Sequence, residues 1–332
     1  MVTSLQQSAI DPAFRAKFQD AQEYVRVVAL AELLKSGVTP APAIEDAATC
    51  LDDPNPLVRE LAVTVLAQAG APAAAVLTQA LDERQPVSVR IAAASGLSRM
   101  GAGAAPAANP LCRCLENSDD QLRWHAAFAL GKIGRDAVAA LQGILSSSNV
   151  GVLCAAVSAL GWVGKDAGGA VEAVKRLALS SSPTVRIACH AAIARITGDS
   201  STSLPEMMRV LEDKDPGVRQ AAVQSLGDLG AVARQSAPRL LRCATDPSSG
   251  VRAASAFALA RIGAAGPQTV QTLTKLLQDP EVEVRANAGI ALAKLGSEAE
   301  TALPALHAIR TDGNPRVSAI AMAAVESISK AK

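Results

Sequence analysis

The 332 residues predict an all-α fold, a right-handed α-solenoid of about ten two-helix repeats, and three observations lead there. A Val-Arg pair recurs at a nearly constant step. A glycine follows about eleven residues later in almost every copy. Apolar residues make up 49% of the chain and aromatic residues only 2%, a composition suited to many thin helices packed through Ala, Leu and Val.

In register, the pairs are Val25-Arg26, Val58-Arg59, Val89-Arg90, Leu122-Arg123, Val152-Leu153, Val185-Arg186, Val218-Arg219, Val251-Arg252, Val284-Arg285 and Val317-Ser318. The step is 33 residues, shortened to 31 before Arg90 and to 30 before Leu153. A period of roughly 20 to 50 residues marks stacked repeats rather than one closed globule. The units run 4–37, 38–70, 71–101, 102–134, 135–164, 165–198, 199–230, 231–263, 264–296 and 297–332. No linker or change of composition interrupts them, so one array over 1–332 is expected.

Within a unit the second helix, B, opens near Val-Arg and closes on Gly37, Gly70, Gly101, Gly134, Gly164, Gly230, Gly263 or Gly296, with Thr197 then Gly198 in the sixth copy. Glycine there predicts a left-handed cap. Counting from the arginine, the residue before it and those at plus three, seven and ten are small or aliphatic, as in Val251, Ser255, Leu259 and Ile262. That spacing is one packed stripe of a helix. The first helix, A, often carries proline early, at Pro205, Pro238 and Pro304, where the missing N–H does no harm. Between A and B stands a turn marked by Asp-Pro or Pro, as at Asp53-Pro54, Asp215-Pro216, Asp246-Pro247 and Asp279-Pro280.

Asp20, Asp53, Asp213, Asp246 and Asp279 lie six residues before Arg26, Arg59, Arg219, Arg252 and Arg285. Carboxylate and guanidinium repeated in this way predict a structural ladder of charge-assisted hydrogen bonds between layers.

Two helices per unit, Pro early in A, Asp in the turn, Val-Arg opening B and Leu-Gly-x-Ile-Gly closing it resemble HEAT repeats, in particular the short regular kind of bacterial and phycobilin-lyase-like proteins. The resemblance covers nearly the whole chain. It implies an Asp–Arg ladder and B helices that line a concave surface, commonly used to bind a partner. It does not transfer a function.

If B lines that surface, plus one, plus five and plus nine face solvent. The chain has two Trp, one Tyr and four Phe, yet Trp124, Phe128, Trp162 and Phe257 fall on these three rows. Trp124, Phe128 and Trp162 come from neighbouring units, with Ile91, Cys154 and Ile187 beside them, and Trp clustered with Arg is typical of a binding hot spot. The same rings would also serve to fill the groove between B helices. In units three to six the turn Asp is replaced by Arg84, Asn117, Ser147 and Ser180, so extra apolar packing has a use there. Plus nine is basic at Lys35, Arg99, Lys132, Arg195, Arg261 and Lys294. An acidic partner fits this row, and so does the helix dipole, which favours cations in a last turn by roughly 0.3–1 kcal/mol each.

Chemistry finds little support. His125, His190 and His307 are each followed by Ala, so the His-Glu metal pairs of the HEAT-repeat hydroxylase that modifies lysine are missing, and no metal is expected. His125 and Cys154 fall on neighbouring B helices as a conceivable Cys/His pair. The six cysteines follow no disulfide framework, and Cys112-x-Cys114 would point to different sides of a helix. A net charge of +1 argues against nucleic acid, and no uninterrupted apolar run reaches the ~20 residues of a membrane span.

The expectation is therefore a noncatalytic, cytoplasmic, monomeric adaptor without a cofactor. It binds a protein or peptide, an acidic one being well matched, through Trp124, Phe128, Trp162, Ile91, Cys154 and Ile187 flanked by Arg99, Lys132 and Arg195. A phycobilin-lyase-like or tetrapyrrole-handling protein is the second reading, and nucleic-acid binding along the basic row the third.

Overall fold

The structure, a computed structural model, describes residues 11–37 and 41–330. Twenty α-helices and no strand occur among the described residues, ten A helices alternating with ten B helices as the register requires. In chain order they begin with α1 (Pro12–Ala16), α2 (Glu23–Ser36), α3 (Ala41–Thr49), α4 (Pro56–Ala69), α5 (Ala71–Gln79), α6 (Val87–Met100) and α7 (Ala108–Leu115). Next come α8 (Asp120–Ile133), α9 (Val138–Ile144), α10 (Val150–Val163), α11 (Val171–Leu177), α12 (Pro183–Thr197), α13 (Ser203–Val210) and α14 (Pro216–Leu229). The last are α15 (Ala237–Cys243), α16 (Ser249–Arg261), α17 (Pro267–Leu276), α18 (Val282–Leu295), α19 (Leu303–Ala308) and α20 (Pro315–Lys330). Odd numbers are A helices and even numbers B. Where the sequence reading treated the array as one, internal contacts group it into two compact units, Met1–Val174 and Lys175–Lys332.

The B helices are the long ones, and several are fixed at both ends. Side-chain oxygens of Asn55, Asp119, Asn149 and Asp215 accept from the backbone N–H of Leu57, Leu122, Gly151 and Gly217, satisfying donors that a helix start otherwise leaves open. At the other end, Gly37 (φ 68, ψ 4) and Gly198 (φ 74, ψ 0) take the expected left-handed cap. Gly134 (φ 81, ψ −137) and Gly164 (φ 71, ψ −138) do not. They occupy a region that only glycine enters without strain, and it leads directly into 3₁₀ turns at Gly134–Ala137 and Gly164–Ala170. That break at Gly164 also ends α10, so the apolar stretch Val150–Leu177 is not one continuous helix, and 44% of its apolar window is buried inside the protein.

The predicted stripe is the core. The plus-seven side chains Leu66, Leu97, Leu130, Leu160, Leu226, Leu259 and Leu292 are fully buried, and Ile193 nearly so.

The ladder forms with a different pairing from the one the six-residue spacing suggests. Each arginine donates through Nη1 to the backbone carbonyl of its own turn, from Arg26 to Asp20, Arg59 to Asp53, Arg219 to Asp213, Arg252 to Asp246 and Arg285 to Asp279. The carboxylate it clasps belongs to the next repeat. Nε and Nη2 of Arg219 reach Asp246 at 2.8 and 2.7 Å, those of Arg252 reach Asp279 at 2.7 and 2.9 Å, and those of Arg285 reach Asp312 at 2.8 and 3.0 Å. Arg26 clasps Asp53 in the same bidentate way. Arg59 has no such rung because Arg84 stands where the next aspartate would be, and Arg84 turns to Asp82. Asp20 and Asp213 cap their own turns, accepting from the N–H of Gln22 and Asp215.

Candidate functional site

The apolar patch is built on α8 and α10 of the first unit. Trp124 and Phe128 lie one turn apart on α8, which puts them on one face, and their rings stack with centroids 5.2 Å apart and planes 7° from parallel. Trp162, near the end of α10, meets both edge-on, at 6.4 Å from Trp124 and 5.7 Å from Phe128. Edge-to-face and offset-stacked pairs of this kind add about 0.5–1.5 kcal/mol beyond area burial.

A glycine allows the contact. A Cβ at Gly131 would stand 2.7 Å from the Cβ of Trp162, so a larger residue would push α10 away. The sequence reading did not single out Gly131, although its signal is visible: plus eight is Gly at 131, 161 and 227 and Ala at 67, 194, 260 and 293. Close approach of two B helices is what the smallest side chain provides.

Trp124 remains 51% exposed, a large apolar ring kept in water, while Phe128 and Trp162 are half-buried by each other and their helices. The groove-filling role therefore describes Phe128 and Trp162 better than Trp124. The ammonium of Lys132 sits 5.3 Å over the Phe128 ring, and the edge-on His125 ring packs at 4.9 Å from Trp124. Burial pushes the imidazole of His125 below its usual range, toward the neutral form. Ile91 on α6 and Cys154 on α10 are both half-buried.

Two of the predicted contact residues belong to the second unit. Ile187, on α12 of the second unit, is 2% exposed and offers no surface to a partner. Ala253 and Ala286, on the same plus-one row, are also buried. Arg195 is on α12 too and donates to the backbone carbonyl of Asp228 at 2.6 Å. The basic row is partly neutralised. Arg99 pairs with Glu60 and donates to Thr64 Oγ1, and Arg261 pairs with Asp228 at 3.1 Å while lying over the exposed Phe257 ring. Of the flanking cations proposed for the patch, Lys132 is the one whose contact is with the aromatic cluster itself.

Among the described residues no group of three His, Cys, Asp or Glu side chains is placed to hold a metal ion. Cys112 and Cys114 are buried, and burial pushes the Cys112 thiol up to about 12, away from the reactive thiolate. Arg90, also buried, donates to Cys114 Sγ at 3.6 Å and to the carbonyl of Leu81 at 3.2 Å.

The sequence matches the HEAT-repeat profile over residues 12–98, 41–122, 108–194, 170–260 and 237–326. No curated protein matches it. Among solved structures, the complex of CpcE and CpcF of phycocyanin lyase from Nostoc sp. PCC7120 is similar at 21% identity and a TM-score of 0.45, covering 69% of this chain and 92% of that one. Human deoxyhypusine hydroxylase in complex with glycerol is similar at 20% identity and a TM-score of 0.38, covering 82% and 99%.

Proposed function

The chain belongs to the HEAT-repeat proteins, and on that premise we propose that it is a noncatalytic scaffold whose Trp124–Phe128–Trp162 face binds a protein or peptide partner. The observation that carries this reading is Trp124, stacked on one ring, edge-on to a second, and still half in water. An exposed apolar ring held in one orientation has already lost its rotamer freedom, so a partner gains the burial without that cost. Lys132 beside the rings favours a segment that places an aliphatic or aromatic side chain next to a carboxylate. Stacked repeats commonly present extended surfaces of this kind. A reducing, cytoplasmic setting suits six unbridged cysteines, five of them buried.

Both tryptophans of the chain lie in the site, so intrinsic fluorescence reports on it alone. Partners captured by the wild-type chain should be lost with Trp124→Ala/Trp162→Ala at unchanged helicity, and a captured partner, once purified, should shift the wild-type emission. Equal capture by both chains would sink the assignment.

A further inference from the structure

The second unit contains a cavity of about 620 Å³ between the Ala178–Ser180 segment, α12 and the first turn of α13. Ala178, Leu179 and Ile193 supply apolar walls, and Leu179 is 85% exposed at its edge. The size is that of a small-molecule pocket, where mostly apolar walls carry a few placed polar groups. Two such groups here lack a protein partner for part of their bonding capacity.

The first is Arg186. Its Nη1 donates to the carbonyls of Ser180 and Ser181 at 2.8 and 2.9 Å, as the ladder arginines do to their own turns. In Arg26, Arg219, Arg252 and Arg285 the Nε–Nη2 edge then holds an aspartate 27 residues further on. Asp213 stands at that spacing from Arg186, yet its carboxylate accepts from the N–H of Asp215, and among the described residues no carboxylate pairs with Arg186. Arg186 lines the cavity instead. A guanidinium edge that holds an aspartate in the four rungs of the ladder is unfilled here.

The second is Ser203, the first residue of α13. It is completely buried and its Oγ has no hydrogen-bond partner, an expensive state for a hydroxyl. It too lines the cavity. The acid in the wall, Glu206, is already engaged by Arg209 at 3.0 and 3.2 Å, so it does not oppose an incoming anion unscreened. His190 in the same wall is half-buried.

We propose that this cavity binds a small carboxylic acid with an apolar body, its carboxylate on the Nε–Nη2 edge of Arg186 and accepting from Ser203 Oγ, its body against Ala178, Leu179 and Ile193. The site is separate from the aromatic face and does not depend on it.

Decanoate is a suitable probe, titrated calorimetrically into the full chain. One saturable site is expected. Decanol, which lacks the charge, and the Arg186→Gln variant should each weaken binding about tenfold or more, the worth of a charge-assisted bidentate contact. Ala178→Trp, which fills the cavity from a half-buried position, should abolish it, with circular dichroism confirming that both variants fold. Trp124→Ala/Trp162→Ala should bind decanoate like wild type, whatever becomes of the scaffold reading. Absence of a saturable site overturns the proposal, as does affinity unchanged in both Arg186→Gln and Ala178→Trp. Inorganic phosphate binding as tightly as decanoate would overturn the apolar half of it.

Discussion

Replacing Asp279 by Asn tests the ladder as a source of stability, because the change keeps the shape and removes the charge. Asp279 accepts two charge-assisted bonds from Arg252 at 2.7 and 2.9 Å and one from the N–H of Glu281 at 3.0 Å. The side chains are only 16% and 7% exposed, so water replaces little of what is lost. Each charge-assisted bond is worth about 1.5–3 kcal/mol, but Arg252 keeps its bonds to the carbonyls of Asp246 and Pro247, and Asn keeps one acceptor. A net loss of about 2–3 kcal/mol follows. Asp213→Asn at the matching position of its repeat should cost under about 1 kcal/mol, since its carboxylate takes a backbone N–H and no guanidinium. The assay is urea denaturation followed by circular dichroism, with hydrogen exchange in α16 and α18 locating the loss, because a repeat array need not unfold in one step. Acid supplies a second check. Hydrogen bonds from Arg252 hold the Asp279 carboxyl below the usual carboxylate range, so the rung stabilises fully above the unfolded value of about 3.9 and is lost as pH falls through the lower folded value. The gap between wild type and Asp279→Asn should close over that acid window. Equal costs for Asp213→Asn and Asp279→Asn, or a gap unchanged down to about pH 2, would refute the reasoning.

Further expectations concern packing and thiols. Gly131→Ala should destabilise by about 1–3 kcal/mol and move the tryptophan emission, since the new Cβ collides with Trp162, whereas Gly143→Ala, with nothing within 4 Å, should be neutral or slightly stabilising. Leu259→Ala, at a fully buried plus-seven position, should cost about 2–5 kcal/mol in the same denaturation assay. In native protein at pH 8, maleimide labelling should modify Cys154 first, because Cys50, Cys112, Cys114, Cys189 and Cys243 are buried and burial pushes the thiols of Cys50 and Cys243 up to about 11.

Features set within one repeat were legible from the sequence. The plus-seven leucines, the glycine ends of B and the proline turns depend on neighbours a few residues away, and their recurrence in most of the ten repeats makes the pattern hard to mistake. Features set between repeats were less so. The rows at plus one and plus five are a mixture, Trp124 exposed and Ile187, Ala191, Ala253 and Ala286 buried, because their exposure depends on how closely the next B helix lies. That distance is governed by side chains such as Gly131, a residue that carries no chemistry and draws no notice in a search for sites. The identity of the ladder partner was hidden for the same reason, since Asp53 stands six residues before Arg59 and 27 after Arg26, and only the stacked layers show which guanidinium its carboxylate serves.

The unfilled edge of Arg186 shows where spacing alone stops being informative. Its separation from Asp213 is the same 27 residues as in every rung that forms, and each end is locally normal: Nη1 holds its own turn, and Asp213 caps its turn like Asp246 and Asp279. The left-handed exit of α12 at Gly198 is not the reason, because Gly37 exits α2 in the same way and Arg26 still clasps Asp53. With both turns intact, a 27-residue separation is not enough to make a rung. The cavity lies beside this arginine, and the buried, unpartnered Ser203 hydroxyl belongs to a residue of the same lining. A packing fault would be filled by larger side chains at little cost. Here the walls keep Ala178 and a cavity-facing guanidinium, a combination that leaves room for a ligand and supplies the charge to hold it.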